Sequence, residues 1–150
     1  MKSTTANRVI DILIVDDNPG DVRLTAEALK DCKVPTRLYT ANNGVEAMAF
    51  LHRRGKFADV PLPDLILLDL NMPEMNGWQL LAKVKEDAAL KHIPVVILTG
   101  SGEREDIVKT YKAHADCYVP KPIDLEQFTK KVKPIVNFLL TSTKLPTEER

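Results

Sequence analysis

The chain has two cysteines, eight aromatic residues, no excess of either charge and no long apolar run among its 150 residues. Cys32 and Cys117 lie far apart with no C-x-x-C spacing. A disulfide framework is therefore not expected, and two buried free thiols in a reducing cytosol are. The 21 Lys and Arg balance 21 Asp and Glu. That balance argues against a nucleic-acid binder, which would carry a basic excess or a basic face. So few aromatics also make a poor platform for stacking bases.

No apolar stretch approaches the ~18–20 residues needed to span a bilayer. The longest are Leu65-Ile66-Leu67-Leu68 and Val95-Val96-Ile97-Leu98. The N-terminal Met1–Arg8 has no apolar core, so no secretory signal is read and a cytoplasmic protein is expected. His52, His92 and His114 never fall at metal-ligand spacing; packing is the expected role for them and for Trp78. No repeat or low-complexity segment is read, and a second domain is not expected. A chain of this length suits one domain with a sizeable core.

What is present is alternation. Short β-branched runs at Ile10–Val15, Thr36–Thr40, Asp64–Leu68, Ile93–Leu98 and Cys117–Val119 read as strands. Two of them are apolar throughout, as central parallel strands covered on both faces should be. Helical patterns follow each strand. They are marked by Val22, Leu24, Ala28 and Leu29, then by Val45, Ala47, Met48 and Leu51 ending near Gly55, and by Leu80, Leu81 and Val84. A fourth is marked by Ile107, Val108 and Tyr111, and a fifth by Leu125, Phe128, Val132, Ile135, Val136 and Leu139. Asp124 is the expected N-cap of the fifth, and Pro134 is expected to kink or interrupt it near Lys133. Arg53–Pro63 reads as a long connection stiffened by Pro61 and Pro63, and the polar stretches 1–8 and 142–150 as mobile tails. Five βα units with right-handed crossovers predict an α/β fold with helices on both faces of a parallel sheet.

In such a sheet, ligands bind beyond the carboxyl ends of the strands. Asp16-Asp17-Asn18-Pro19 follow strand 1, Asp69-Leu70-Asn71-Met72-Pro73 follow strand 3, Thr99-Gly100-Ser101-Gly102 follow strand 4, and Pro120-Lys121-Pro122 follow strand 5. Three carboxylates, a hydroxyl and an ammonium thus share one edge. Three packed anions repel unless a cation offsets them. A hard divalent ion suits the oxygen donors, and Mg²⁺ takes one or two carboxylates together with phosphate oxygens. The same set fits phosphoryl transfer: an Asp nucleophile, Mg²⁺ and Lys to balance charge, and a hydroxyl donating to a phosphoryl oxygen.

This constellation resembles the receiver domain of two-component response regulators, over roughly residues 9–140 and with all the sites in order. Leu67-Leu68-Asp69-Leu70-Asn71-Met72-Pro73 followed by Asn76-Gly77 is similar to the family's phosphoacceptor segment. A narrower resemblance is to single-domain regulators paired with bacterial phytochromes. It is carried by Met48-Ala49-Phe50-Leu51, the Gly55–Pro63 connection and a C-terminal extension ending near Leu145-Pro146.

The resemblance implies a flavodoxin-like, doubly wound sheet of order 2-1-3-4-5 spanning a receiver domain at residues 9–141. It implies that Asp69 takes a phosphoryl group from a sensor histidine kinase, and that Asp16, Asp17, Asp69 and the backbone carbonyl of Asn71 hold Mg²⁺. Thr99 would hydrogen-bond the phosphoryl group, Lys121 would pair with it, and Tyr118 would turn inward as a switch. A cis bond between Lys121 and Pro122 is also implied. Plainer readings stand beside each role. Asp69 suits a turn before Pro73, Asp16 and Asp17 suit helix capping, and Thr99 suits a strand end. Lys121 suits a solvated loop, Tyr118 a half-exposed edge strand, and Gly100-Ser101-Gly102 a loop and helix cap. Output is expected through a protein–protein contact or by passing the phosphoryl group on, and a homodimer is expected to use the apolar C-terminal helix or the face of helix 4, strand 5 and helix 5. A haloacid-dehalogenase-like phosphohydrolase shares the nucleophile, Mg²⁺, Thr and Lys, but it wants a second Asp two residues on, where this chain has Asn71. A receiver-like adaptor that is never phosphorylated is the third reading.

Overall fold

A computed structural model describes residues 9–31, 35–70, 77–99, 117–120 and 124–142. The described elements are β1 (Ile10–Val15), α1 (Pro19–Asp31), β2 (Thr36–Ala41), α2 (Gly44–Leu51), β3 (Leu65–Asp69), α3 (Gly77–Glu86), β4 (Val95–Thr99), β5 (Cys117–Pro120) and α4 (Leu125–Ser142). The sheet has the order β2-β1-β3-β4-β5, and every pairing is parallel. This is the expected topology.

Period-two alternation splits the core between the two faces. Leu13, Val15, Ile66, Leu68 and Ile97 pack with Ala47, Phe50 and Leu51 of α2 and Leu80, Leu81 and Val84 of α3. Ile10, Ile12, Ile14, Leu65, Leu67, Val96 and Leu98 pack with Ala28 and Leu29 of α1 and Phe128, Val132 and Val136 of α4. Every residue of β1 and β3 is buried, as central strands require.

Several boundaries differ from expectation. Asp64 stands outside β3: its N–H donates to the Asp11 carbonyl at 2.7 Å, and its carboxylate accepts the Asp11 N–H at 2.9 Å. The strand therefore starts one residue later and ends on Asp69 itself. Pro94 has no N–H to give, and β4 runs Val95–Thr99. At the other ends, β2 reaches Ala41 and β5 reaches Pro120.

Helix α2 stops at Leu51, short of Gly55. The N–H of Arg53 donates to Phe50 and that of Arg54 to Ala49, with Arg53 at φ 55°. This is a Schellman closure with arginine in the left-handed position that glycine usually fills. A single 3₁₀ turn at Gly55–Phe57 follows, and Phe57, Val60 and Leu62 lie against the core beneath the connection.

Asp124 caps α4 as expected, its Oδ1 accepting the N–H groups of Glu126 and Gln127. The interruption expected at Pro134 does not occur, because α4 is continuous from Leu125 to Ser142, one residue into the expected tail. Phe128 and Val132 before the proline and Val136 and Leu139 after it are all buried in one cluster. Each contributes about 1.5–3 kcal/mol, which outweighs the ~3 kcal/mol cost of an interior proline.

The fourth helical pattern, Gly100–Gly102, Asn71, Lys121–Pro122, Cys32, His114 and the stretches 1–8 and 143–150 lie outside the described residues. No described helix is long and apolar enough to cross a membrane.

Candidate metal and phosphoryl site

Asp16 is the first residue past β1. Its N–H donates to the Ala41 carbonyl at 3.0 Å, which carries the β1–β2 ladder one step further and fixes its backbone at the sheet edge. Its Oδ1 accepts the Asn18 N–H at 3.0 Å. Asn18 then caps α1, with Oδ1 accepting from Asp21 at 3.0 Å and its carbonyl accepting from Val22. Pro19 opens the helix, where its missing donor costs nothing. Capping thus falls to Asn18 and not to the acidic pair, and Asp17 sits exposed at the bend between strand and helix.

Asp69 arrives from the middle of the sheet. It closes β3 in register with Leu98 of β4 and is 4% exposed. Asp16 is 1% exposed. One carboxylate oxygen from each of Asp16, Asp17 and Asp69 lies within 4.8 Å of the others. The structure therefore brings together the three acids expected from three strand-end positions.

An all-oxygen, all-anionic donor set of this span fits a hard divalent cation. Bonds of about 2.0–2.1 Å for Mg²⁺, with water completing the shell, can serve two buried ligands and one exposed one. A cleft of about 520 Å³ opens beside the acids, lined by Asp16, Asp17, Pro19, Val22, Thr40 and Asn42. Thr40 and Asn42 were not expected there. They stand at the carboxyl end of β2, so the rule that singled out the ends of the other four strands finds them too.

Thr99 ends β4 opposite Pro120 in the ladder, and Tyr118 lies opposite Ile97. The roles expected of those two side chains, of Lys121 and of the Asn71 carbonyl rest on atoms outside the described ones.

Among the described residues, two further sets of charged groups hold parts of the fold together. Arg37 Nε donates to Asp11 Oδ1 at 2.9 Å on the edge strand, and this bond raises the guanidinium further above its usual range. His52 sits 3.1 Å from Asp87 and 2.9 Å from Arg54. The hydrogen bond from His52, then that from the Ala89 N–H, holds the Asp87 carboxyl below the usual carboxylate range. Trp78 packs against the core, as expected, and His92 is exposed.

A family model described as response regulator receiver domain matches residues 12–133. Response regulator Rcp1 of Synechocystis sp. is 41% identical over 135 residues, which span 90% of this chain and 92% of Rcp1. The phosphorylated cyanobacterial phytochrome response regulator RcpA superposes with a TM-score of 0.78 at 43% identity, covering 93% of this chain and 99% of RcpA. The Mn²⁺-bound form of Rcp1 gives 0.76 at 40% identity, covering 91% and 99%.

Proposed function

The chain belongs to the response regulator receiver domain family, and on that premise we propose that it accepts a phosphoryl group from a sensor histidine kinase onto Asp69. The observation that carries the reading is the buried Asp69 carboxylate within 4.8 Å of those of Asp16 and Asp17 at the carboxyl edge of the sheet. In this reading Asp16, Asp17, Asp69 and the Asn71 carbonyl hold Mg²⁺. When bound, the ion neutralises charge on the phosphoryl oxygens and orients them for in-line transfer.

A carboxylate oxygen of Asp69 attacks phosphorus, the P–N bond of the phosphohistidine breaks, and the imidazole leaves with its electron pair and takes up a proton. The Thr99 hydroxyl donates to one phosphoryl oxygen, and the Lys121 ammonium pairs with another. Conversion of the Asp69 carboxylate to an acyl phosphate replaces one negative charge by about two, a net gain of about −1, carried on the phosphoryl oxygens. Thr99 moves toward it, Tyr118 turns into the space left, and the face around β5 and α4 changes shape. A partner that prefers that shape reads the signal.

The similarity to RcpA, a phytochrome response regulator, supports a phytochrome-type kinase as donor. A homodimer through α4 is supported by Phe138, 66% exposed, beside an apolar cavity of about 280 Å³ lined by Pro94, Pro134 and Ile135. The protein acts in the cytoplasm as a signalling domain and not as a turnover enzyme.

The test is incubation with acetyl phosphate and Mg²⁺, read by intact mass. One phosphoryl group should add to the wild type and none to Asp69→Asn. No adduct on the wild type would overturn the reading, and steady release of phosphate from esters would favour the phosphohydrolase instead. Sedimentation with and without beryllofluoride decides the dimer, which fails if the chain stays monomeric in both.

A further inference from the structure

We infer that Gly77 is a positioning residue for Asp69, acting through the main chain and resting on the reading of Asp69 as phosphoacceptor. Gly77 is the first residue of α3 and is buried. Its N–H donates to the Leu70 carbonyl at 3.1 Å, so the start of α3 is bonded to the residue that follows Asp69. A Cβ at this position would collide with the Asp69 carbonyl oxygen, and it would stand 2.6 Å from Leu70 Cα and 3.1 Å from the Asp69 carbonyl carbon.

All three obstacles are backbone atoms and cannot swing aside. The contrast within the chain is clear. A Cβ at Gly20 would meet a side-chain oxygen, Asn18 Oδ1, at 3.2 Å, and one at Gly55 would meet nothing within 4 Å. Gly77 is also not among the positive-φ glycines. It is needed for clearance, not for an unusual backbone angle.

Neither side of the contact can retreat cheaply. The end of β3 is held by its register with β4 and by the Leu70 N–H to the Leu98 carbonyl. The body of α3 is held by Leu80, Leu81 and Val84, all buried. A methyl group at position 77 must therefore displace the Asp69–Leu70 main chain or lift the first turn of α3. Reactive groups need placement to about 0.5 Å. The cost therefore falls on where the Asp69 carboxylate stands relative to Asp16 and Asp17. Helix propensity makes the opposite forecast, since alanine is a better helix former than glycine.

The experiment compares wild type, Gly77→Ala and Val84→Ala in full-length chain. Val84→Ala weakens the same helix at a site remote from Asp69. Three quantities are read: melting temperature, Mn²⁺ affinity by calorimetry, and the rate of acyl-phosphate formation from acetyl phosphate. Gly77→Ala should bind Mn²⁺ more weakly and react at least tenfold more slowly, while Val84→Ala, with an equal or larger drop in melting temperature, stays within twofold of wild type. Equal slowing in both variants, or Gly77→Ala within twofold of wild type, would overturn the inference. If Gly77→Ala does not fold, amide exchange in the wild type decides. The Gly77 N–H should exchange more slowly once beryllofluoride and Mg²⁺ are bound, and unchanged exchange would sink the coupling. A wild type that forms no adduct refutes the phosphoacceptor reading, and Mn²⁺ affinity then still tests the positioning by Gly77.

Discussion

Replacing Asp17 with Asn should stabilise the metal-free protein, even though it removes a proposed metal ligand. The three carboxylate oxygens lie within 4.8 Å of one another. Two unit charges at that separation repel by about 0.9 kcal/mol in water and by about 3.5 kcal/mol at an effective dielectric constant of ~20. Asp16 and Asp69 are buried, but Asp17 is exposed, so its two repulsions sit near the water limit. Their removal relieves about 2 kcal/mol. For a domain of this size that raises the melting temperature by roughly 4–8 °C.

The assay is a pair of thermal melts in chelator at low salt, repeated in 1 M NaCl and then with Mg²⁺. Salt should shrink the difference, since the Debye length falls to about 3 Å at 1 M. Mg²⁺ should raise the wild type by the linkage term, about 2.7 kcal/mol at a hundredfold excess over its dissociation constant, and raise Asp17→Asn by less. The two melting temperatures should therefore converge or change order. A variant no more stable than wild type in chelator, or equal gains from Mg²⁺ in both, would refute the picture of a charge-frustrated site relieved by a cation.

Two further outcomes follow from features away from the site. Arg53→Gly should raise the melting temperature by roughly 1–4 °C. The left-handed conformation at φ 55° costs an L residue about 1–2 kcal/mol, and the greater unfolded-state freedom of glycine offsets about 0.5–1 kcal/mol of the gain. A lower melting temperature would mean that the Arg53 side chain matters more than its backbone. Asp87 has its carboxyl held below the usual range by His52, so its folded value lies under its unfolded one. The stability it lends is present at neutral pH and is lost as pH falls through the carboxylate range, below about pH 4. Chemical denaturation of wild type and Asp87→Asn should differ at pH 7 and converge on acidification; a difference that persists at low pH would refute the linkage.

The α/β class was legible in the sequence because it depends on patterns that no single residue can overturn, while the strand order 2-1-3-4-5 came with the resemblance to receiver domains. Leu65–Leu68 and Val95–Leu98 are apolar at every position, short and bounded by turn residues, as strands covered on both faces are. Once those strands are parallel and central, polar residues at their ends must gather at one edge. That is why Asp16, Asp17 and Asp69 were found together without any knowledge of distances. The features that escaped depend on contacts with another part of the chain. Asp64 leaves β3 where its carboxylate takes the Asp11 N–H, and α4 passes through Pro134 because the core grips the helix on both sides of the proline. Arg53 occupies a left-handed position without the glycine that would have announced it. Gly77 is the limiting case. In the sequence it enters only as part of the Asn76-Gly77 pair that follows the phosphoacceptor-like segment, a local motif, yet the role inferred for it is to leave space for the backbone of Asp69. A strand-end rule can say which residues meet at the sheet edge; how closely α3 may approach the proposed nucleophile depends on an atom that glycine does not have.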